Sequence, residues 1–341
     1  MIKTPSTDTL HYQEYTQVAS AADYLNGLTQ DTLVIYSPTS LQHLQVENSK
    51  VHMIDSRIFG RNVVFIKALA QSKQSYKTIV SLGGGTATDV AKFIAYQSKA
   101  QFICIPSMLS TNAYGTNKVA LVVEDEKVTL DAKLADRILL DTSLLQTSPQ
   151  QNLYGLADVL SIHTALQDWL IAQKKGLETV DGAIFEQSEK LLAETIDFVT
   201  KTDINHIAYE IPTLYRLIGE SAYITNIYGT GRPESGSEHI FAKALEKQID
   251  IPHGVSVSIG ILLMSMLQGS YAKELGEAIN KIGTLKFASE LGVSRALIKS
   301  VLLTVKARDD RYSILNEVKL DEVSVEKLLD EFVDKTGIRL E

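Results

Sequence analysis

The stretch TIVSLGGGTATDVAKFIAY, residues 78–96, places a strand, a glycine turn and a helix in immediate succession. Thr78, Ile79, Val80, Ser81 and Leu82 form a β-rich run that leads straight into Gly83, Gly84 and Gly85. Val90, Ala91, Phe93, Ile94 and Ala95 then recur as one apolar helical face. This geometry presents bare backbone N–H groups and a helix N-terminus to an anion. Glycine suits the turn because a Cβ would hold a pyrophosphate off and resist the backbone angles. Thr86 or Thr88 is expected to cap the helix, with Asp89 in its first turn. The spacing is not the G-x-G-x-x-G fingerprint, so the residues alone define a phosphate-binding turn or a ligand-free tight turn, not a nicotinamide site.

Working outward, apolar runs at 32–36 (TLVIY), 50–54, 101–105 (QFICI) and 137–140 (RILL) read as further strands, with helices at 19–28, 40–45 and 62–72. A short strand is expected before them. Residues 118–123 and 127–130 read as two strands joined by the acidic turn EDE. Strands alternating with helices imply right-handed crossovers and a mostly parallel sheet, with ligands outside the strand C-terminal ends, where the glycines stand. Near Ser148 the character changes. Helices are expected at 151–157, 159–172, 183–200, 204–220, 238–246, 255–269, 274–291, 294–307 and 325–335. The expected division is therefore an α/β, Rossmann-like domain over 1–150 and an all-α domain over 151–341.

Two domains are also what 341 residues suggest at about 150 residues each. The net charge of −8, with no basic block, sets nucleic acid aside as a partner. The single cysteine, Cys104, lies in an apolar strand, as a buried thiol in a reducing compartment would. MIKTPSTDTLHYQEY lacks the apolar core of a signal peptide. The longest apolar run, 255–267, falls short of the roughly 20 residues that span a bilayer and reads as a buried helix. The expectation is a cytoplasmic protein without membrane association. The apolar helices and acidic pI accord with a homo-oligomer, a dimer or larger.

The chemistry-bearing residues of the helical half are Asp158 in GLADVLSIHTALQDW, His239 in SGSEHIFAKALE and His253 in IPHGVSVSIG. A carboxylate and two imidazoles from three helices suit one divalent cation. Taken singly, Asp158 also reads as a helix cap and each histidine as a satisfied structural residue. His239 and His253 stand at the heads of apolar helices, unlike His11, His43, His52 and His206. His163 is five residues from Asp158, roughly 140° round the helix, so it is not expected to share the ion, though it can face the cleft.

GGGTATDVAK, the strand ending PSMLSTNA, GLADVLSIHTALQDW, SEHIFAKALE, PHG and RDDRYSIL together resemble the iron-alcohol-dehydrogenase and dehydroquinate-synthase superfamily. Within it the chain resembles sn-glycerol-1-phosphate dehydrogenases, through Thr164-Ala165-Leu166 with Asp168-Trp169, through SGSEH, and through Arg311-Tyr312-Ser313-Ile314-Leu315. The resemblance runs from about residue 30 to 330. It implies a dehydroquinate synthase-like fold with the site in the cleft between domains. It implies a pyrophosphate turn of Gly83, Gly84, Gly85, Thr86 and Asp89, and a second cofactor loop with Ser107, Ser110 and Thr111. It implies Asp158, His239 and His253 as ligands of a catalytic metal, most often zinc, with iron or nickel known in the family. Asn112 stands where members commonly carry aspartate near the substrate. Lys118 is similar to a substrate-binding lysine of dehydroquinate synthases but lacks the glycine pair before it. The strand end YSPTS has no acidic residue to hold a ribose 2′-hydroxyl, so NAD and NADP both stay open.

The resemblance implies reduction of a small hydroxyketone, dihydroxyacetone phosphate to sn-glycerol 1-phosphate, as in phospholipid metabolism. Lys118, His163, Arg232 and Lys243 are the candidates for a substrate phosphate. Alternatives are a sugar-phosphate cyclase of the dehydroquinate-synthase type, a glycerol or alcohol dehydrogenase acting on an unphosphorylated substrate, and a binding module that has lost its chemistry.

Overall fold

The glycine strand is at the centre of the sheet. The protein, described as a computed structural model over residues 14–71 and 76–338, contains strands β1 (Thr16–Gln17), β2 (Thr32–Tyr36), β3 (His52–Asp55), β4 (Thr78–Gly83), β5 (Gln101–Pro106), β6 (Lys118–Val123), β7 (Glu126–Asp131) and β8 (Arg137–Leu140). Six of them form a wholly parallel sheet in the order β1-β8-β5-β4-β2-β3. β6 and β7 form a separate antiparallel hairpin, with Lys118 opposite Asp131. Helices α1 (Ala21–Asn26), α2 (Pro38–Leu41), α3 (Val63–Ala70) and α4 (Gly85–Ser98) complete the α/β part.

Both faces of the sheet are covered, as parallel sheets require. Leu33, Ile35, Ile79, Phe102 and Cys104 point to the large core that continues into the helical part. Val34, Val80, Leu82, Ile103 and Ile105 point to a smaller cluster with Ala21, Leu25 and Leu144. Period-two alternation along β2, β4 and β5 thus feeds two apolar layers.

After β8 the described elements are helical: α5 (Thr142–Leu145), α6 (Pro149–Tyr154), α7 (Leu156–Leu160), α8 (Ile162–Lys174), α9 (Gly182–Lys201), α10 (Ile204–Ile207), α11 (Ile211–Tyr228), α12 (Ser237–Glu246), α13 (His253–Leu267), α14 (Lys273–Lys281), α15 (Thr284–Glu290), α16 (Arg295–Thr304) and α17 (Glu322–Thr336). The expected buried helix is α13, with every residue from Gly254 to Ser265 buried. Among the described residues no helix is long and apolar enough to cross a membrane.

Several expected helices are shorter or split. The helix expected over 204–220 divides because Pro212 opens α11, where its missing N–H costs nothing. The one expected over 274–291 divides at Gly283, whose φ of +79° is a left-handed break. The one expected over 159–172 divides at Ser161, whose hydroxyl donates to Asp158 O and Glu234 O at 2.7 and 2.5 Å. The helix expected over 40–45 is a single turn starting at Pro38. His11 and the expected helix end at Ser72 lie outside the described residues.

The α4 cap also departs from expectation. Gly84, not Thr86 or Thr88, is the N-cap, and no side chain caps it. Asp89 lies beyond the first turn, buried, and accepts the Ala120 N–H of β6 at 3.1 Å. The helix N-terminus is therefore bare toward the sheet's C-terminal edge.

Candidate active site

Asp158, His239 and His253 converge, although 81 residues (239 − 158) separate the first pair in sequence. The ligand-type atoms of all three lie within 4.8 Å of one another. His239 Nε2 is 3.8 Å and His253 Nε2 3.5 Å from Asp158 Oδ1. Their convergence depends on close backbone approach. A Cβ on Gly260 of α13 would fall 2.6 Å from Glu238 O of α12, so glycine lets the two histidine-bearing helices touch at their backbones.

The tautomers are set by carboxylates. His239 Nδ1 lies 2.7 Å from Glu238 Oε1, and His253 Nδ1 lies 2.6 Å from Glu246 Oε1. An ionised carboxylate only accepts, so in both rings Nδ1 carries the proton and Nε2 is turned toward Asp158. Asp158 Oδ1 is itself buried with no hydrogen-bond partner among the described residues, while Oδ2 accepts the Asn112 N–H at 3.3 Å. An orphaned carboxylate oxygen beside two imidazole Nε2 atoms is a donor set that could hold a divalent cation, and the carboxylates behind the rings are the kind of support such ligands need. The residues fit the ion that the resemblance implies. Charge follows the same plan. Burial opposes a charge on His239, but Asp158 and Glu238 outweigh it and raise its pKa to about 9. Burial also opposes ionisation of Asp158, yet the two histidines hold its pKa below the ordinary value.

A hydrogen-bonded network links the motif segments. Glu238 accepts from Thr164 Oγ1 at 2.7 Å and from Gly236 N at 2.5 Å. Asp168 accepts from Ser237 N (2.7 Å), Ile314 N (2.8 Å) and Gln268 Nε2 (2.8 Å). Burial, with the Glu238 charge beside it, pushes Asp168 up to about 6. Thr164 and Asp168, the SGSEH segment and the RYSIL segment are thus one hydrogen-bonded unit behind His239.

The loop after β5 joins the triad to the glycine turn. Met108 packs against Gly84 and Thr111 against Gly85, where added Cβ atoms would meet Met108 Sδ at 3.2 Å and Thr111 Oγ1 at 3.1 Å. The next residue, Asn112, holds Asp158 through its N–H and Glu234 Oε1 through its amide at 2.7 Å. Ser107 N donates to Gly83 O at 3.1 Å, and its hydroxyl accepts from Ser40 at 2.7 Å. Ser110 is half-buried in the same loop. Gly83 has φ +155°, and a Cβ there would fall 2.8 Å from Ala87 Cβ, so packing alone demands that glycine.

Three expected phosphate cations are engaged elsewhere. Lys118 Nζ pairs with Asp131 across the hairpin. Arg232 is buried, donates to Asp168 O (3.0 Å) and Tyr312 O (2.9 Å), and pairs with Glu178 at 2.9 Å. His163 Nε2 lies 2.8 Å from Ser270 O, and burial lowers its pKa. Lys243 differs. It lies one helical turn from His239 and has no hydrogen bond or ion pair to another described residue. Burial lowers its pKa to about 8, with Arg308, Lys127 and Arg311 adding repulsion and Glu246 opposing.

Sequence reasoning missed Glu238, Glu246, Glu234 and Arg61. Glu238 is the chain neighbour of His239, and Glu246 follows it by two helical turns, a spacing that signals one face. Glu234 is buried and pushed up to about 7 by burial and by the Asp158 charge. Arg61 Nε donates to Thr86 Oγ1 at 3.0 Å, placing a guanidinium at the glycine turn.

Comparison with known proteins agrees with this fold. Residues 21–149 match the family model for iron-containing alcohol dehydrogenase. The chain is 28% identical over 339 residues to glycerol-1-phosphate dehydrogenase [NAD(P)+] of Sulfolobus acidocaldarius, covering 93% of this chain and 94% of that one. A probable glycerol dehydrogenase from Sinorhizobium meliloti 1021 shares the fold, with TM-score 0.60, 20% identity and coverage of 95% and 96%. So does 2-deoxy-scyllo-inosose synthase complexed with carbaglucose-6-phosphate, NAD+ and Co2+, with TM-score 0.57, 14% identity and coverage of 93% and 96%. The α/β part thus matches the iron-containing alcohol dehydrogenase family model, and most of the chain is similar in sequence to glycerol-1-phosphate dehydrogenases.

Proposed function

We propose that the protein is an NAD(P)- and metal-dependent dehydrogenase that reduces a small phosphorylated hydroxyketone, dihydroxyacetone phosphate, to sn-glycerol 1-phosphate. The observation that carries this reading is the orphaned Asp158 Oδ1 facing the Nε2 atoms of His239 and His253. Bound there, a divalent ion supplies a Lewis acid for the carbonyl oxygen while the nicotinamide supplies the hydride. Asp158, His239 and His253 hold the ion, and Glu238 and Glu246 keep the two rings oriented. The bare start of α4, with Gly83, Gly84, Gly85 and Thr86, receives the pyrophosphate, and Asp89 braces that helix against β6. Ser107, Ser110, Thr111 and Asn112 line the passage from cofactor to ion. Lys243, a half-buried cation with no hydrogen-bond or ion-pair partner among the described residues, takes the substrate phosphate.

Zinc suits the two-histidine, one-carboxylate set, with iron or nickel as alternatives. The proposal extends to a division near residue 150 into nucleotide-binding and metal-binding domains, a homo-oligomer, no nucleic-acid partner, and a cytoplasmic location.

The test is absorbance of zinc-loaded protein with NADH or NADPH and dihydroxyacetone phosphate, with phosphate release followed in parallel. Oxidation of the nicotinamide without phosphate release supports the dehydrogenase and selects the cofactor. Phosphate release without net oxidation, on a sugar phosphate, identifies a cyclase instead. Of the two residues that lean toward a cyclase, Lys118 pairs with Asp131 and Asn112 donates its amide to Glu234.

A further inference from the structure

The β6–β7 hairpin belongs by sequence to the α/β part, yet its second strand reaches the helix that bears His239. Lys127 Nζ on β7 lies 2.7 Å from Glu246 Oε2 at the end of α12. The other oxygen of Glu246 lies 2.6 Å from His253 Nδ1 and also accepts from Ser256 Oγ at 2.8 Å. Lys127 and Glu246 are 25% and 12% exposed at their side chains, so the pair is largely shielded from solvent.

A ring that ligates a cation through Nε2 is neutral and only donates through Nδ1. Glu246 must therefore be held where one oxygen accepts the Nδ1 proton of His253, and its other oxygen is held by the Lys127 ammonium. Lys127 is the one cation in hydrogen-bonding contact with Glu246 among the described residues. Lys243 acts on Glu246 without such a contact.

The other side of the hairpin is tied to the glycine-turn helix. Ala120 N donates to Asp89, Val122 N donates to Arg61 O at 2.8 Å, and the buried Lys92 ammonium donates to Lys118 O at 3.0 Å. The lysine is thus presented from a rigid strand, not from a free arm.

We infer that Lys127 is a positioning residue for the metal centre, acting through Glu246 to keep His253 in its ligating tautomer. This rests on the metal-site reading proposed above. The hairpin carries its own control. Lys247 pairs with Glu126 at 2.7 Å, but these side chains are 52% and 66% exposed and do not touch a histidine.

The experiment titrates metal-free full-length protein with cobalt(II), reading its d–d absorption and competition with a chelator. Removing a partner of a ligating histidine typically costs about 10–100-fold in metal affinity, so Glu246→Gln is expected in that range and Lys127→Met, one link further out, at about three- to tenfold. Lys127→Arg restores most of the loss, and Lys247→Met stays at the wild-type affinity. Circular dichroism and melting of the metal-free Lys127→Met protein establish that it is folded, and Lys127→Arg supplies the answer if it is not. Wild-type affinity in Lys127→Met overturns the inference. Equal losses in Lys127→Met and Lys247→Met also overturn it, because the hairpin then acts only as a strap. Cobalt binding that survives unchanged in both Glu246→Gln and His253→Ala overturns instead the assignment of the metal site.

Discussion

Glu238 accepts the Nδ1 proton of the residue that follows it, His239, across 2.7 Å. A side chain thereby fixes the tautomer of its own chain neighbour, and α12 delivers ligand and support as one piece. Glu238 also receives Thr164 and the Gly236 N–H, so replacing one oxygen with an amide group sets donor against donor. Glu238→Gln should weaken metal affinity by about tenfold or more while leaving secondary structure unchanged. Chelator competition checks the first expectation and circular dichroism the second.

His253→Ala, His239→Ala or Asp158→Ala should each remove metal binding and turnover without unfolding the protein. A ligand at 100 times its Kd stabilises a fold by about 2.7 kcal/mol. The wild type should therefore melt higher with zinc, and His253→Ala should melt alike with and without it. Thermal scans at matched zinc concentrations read the difference.

Lys243→Met should raise KM for dihydroxyacetone phosphate with little change for an unphosphorylated ketone. A charge-assisted hydrogen bond of about 1.5–3 kcal/mol corresponds to roughly 10–150-fold. Because burial lowers the Lys243 pKa to about 8, the amine is charged below that pH and neutral above it. In the wild type, kcat/KM for the phosphorylated substrate should fall as pH rises through about 8. That limb should be missing from the pH profile of the variant.

Gly260→Ala would set a methyl group 2.6 Å from Glu238 O, and backbone cannot swing aside as a side chain can. Overpacking at a helix crossing costs about 1–3 kcal/mol. The variant should be destabilised by that amount in urea. It should also bind metal less tightly, because the displaced backbone belongs to the neighbour of His239.

What was legible in the sequence was local. β4, the glycine turn and α4 declared themselves because strand propensity, glycine geometry and helical periodicity coincide within residues 78–96. The buried α13 did so through an apolar run too short for a bilayer. The triad was legible through resemblance, since nothing near Asp158 states that α12 and α13 will meet it. Long-range pairing was largely hidden. Arg232, a candidate for the substrate phosphate by sequence, is instead held by partners in α8 and the segment at Tyr312. Lys118 is a partial exception, because the expected strands around the EDE turn set it opposite Asp131 by hairpin register. The α4 cap differs from the threonine expected because the turn is so tight that Gly84 occupies the cap position before any threonine is reached.

The hairpin that stands on Asp89, Arg61 and Lys92 and touches Glu246 with Lys127 has a thermodynamic corollary. A nucleotide at the glycine turn and an ion at the triad, as proposed above, would both bear on this one piece of backbone. If either ligand tightens that piece, the free energy of coupling is common property, and each must change the affinity of the other by the same factor. Nucleotide affinity measured with and without the ion, and ion affinity with and without the nucleotide, are then two readings of a single quantity, and Lys127→Met tests whether the hairpin carries it.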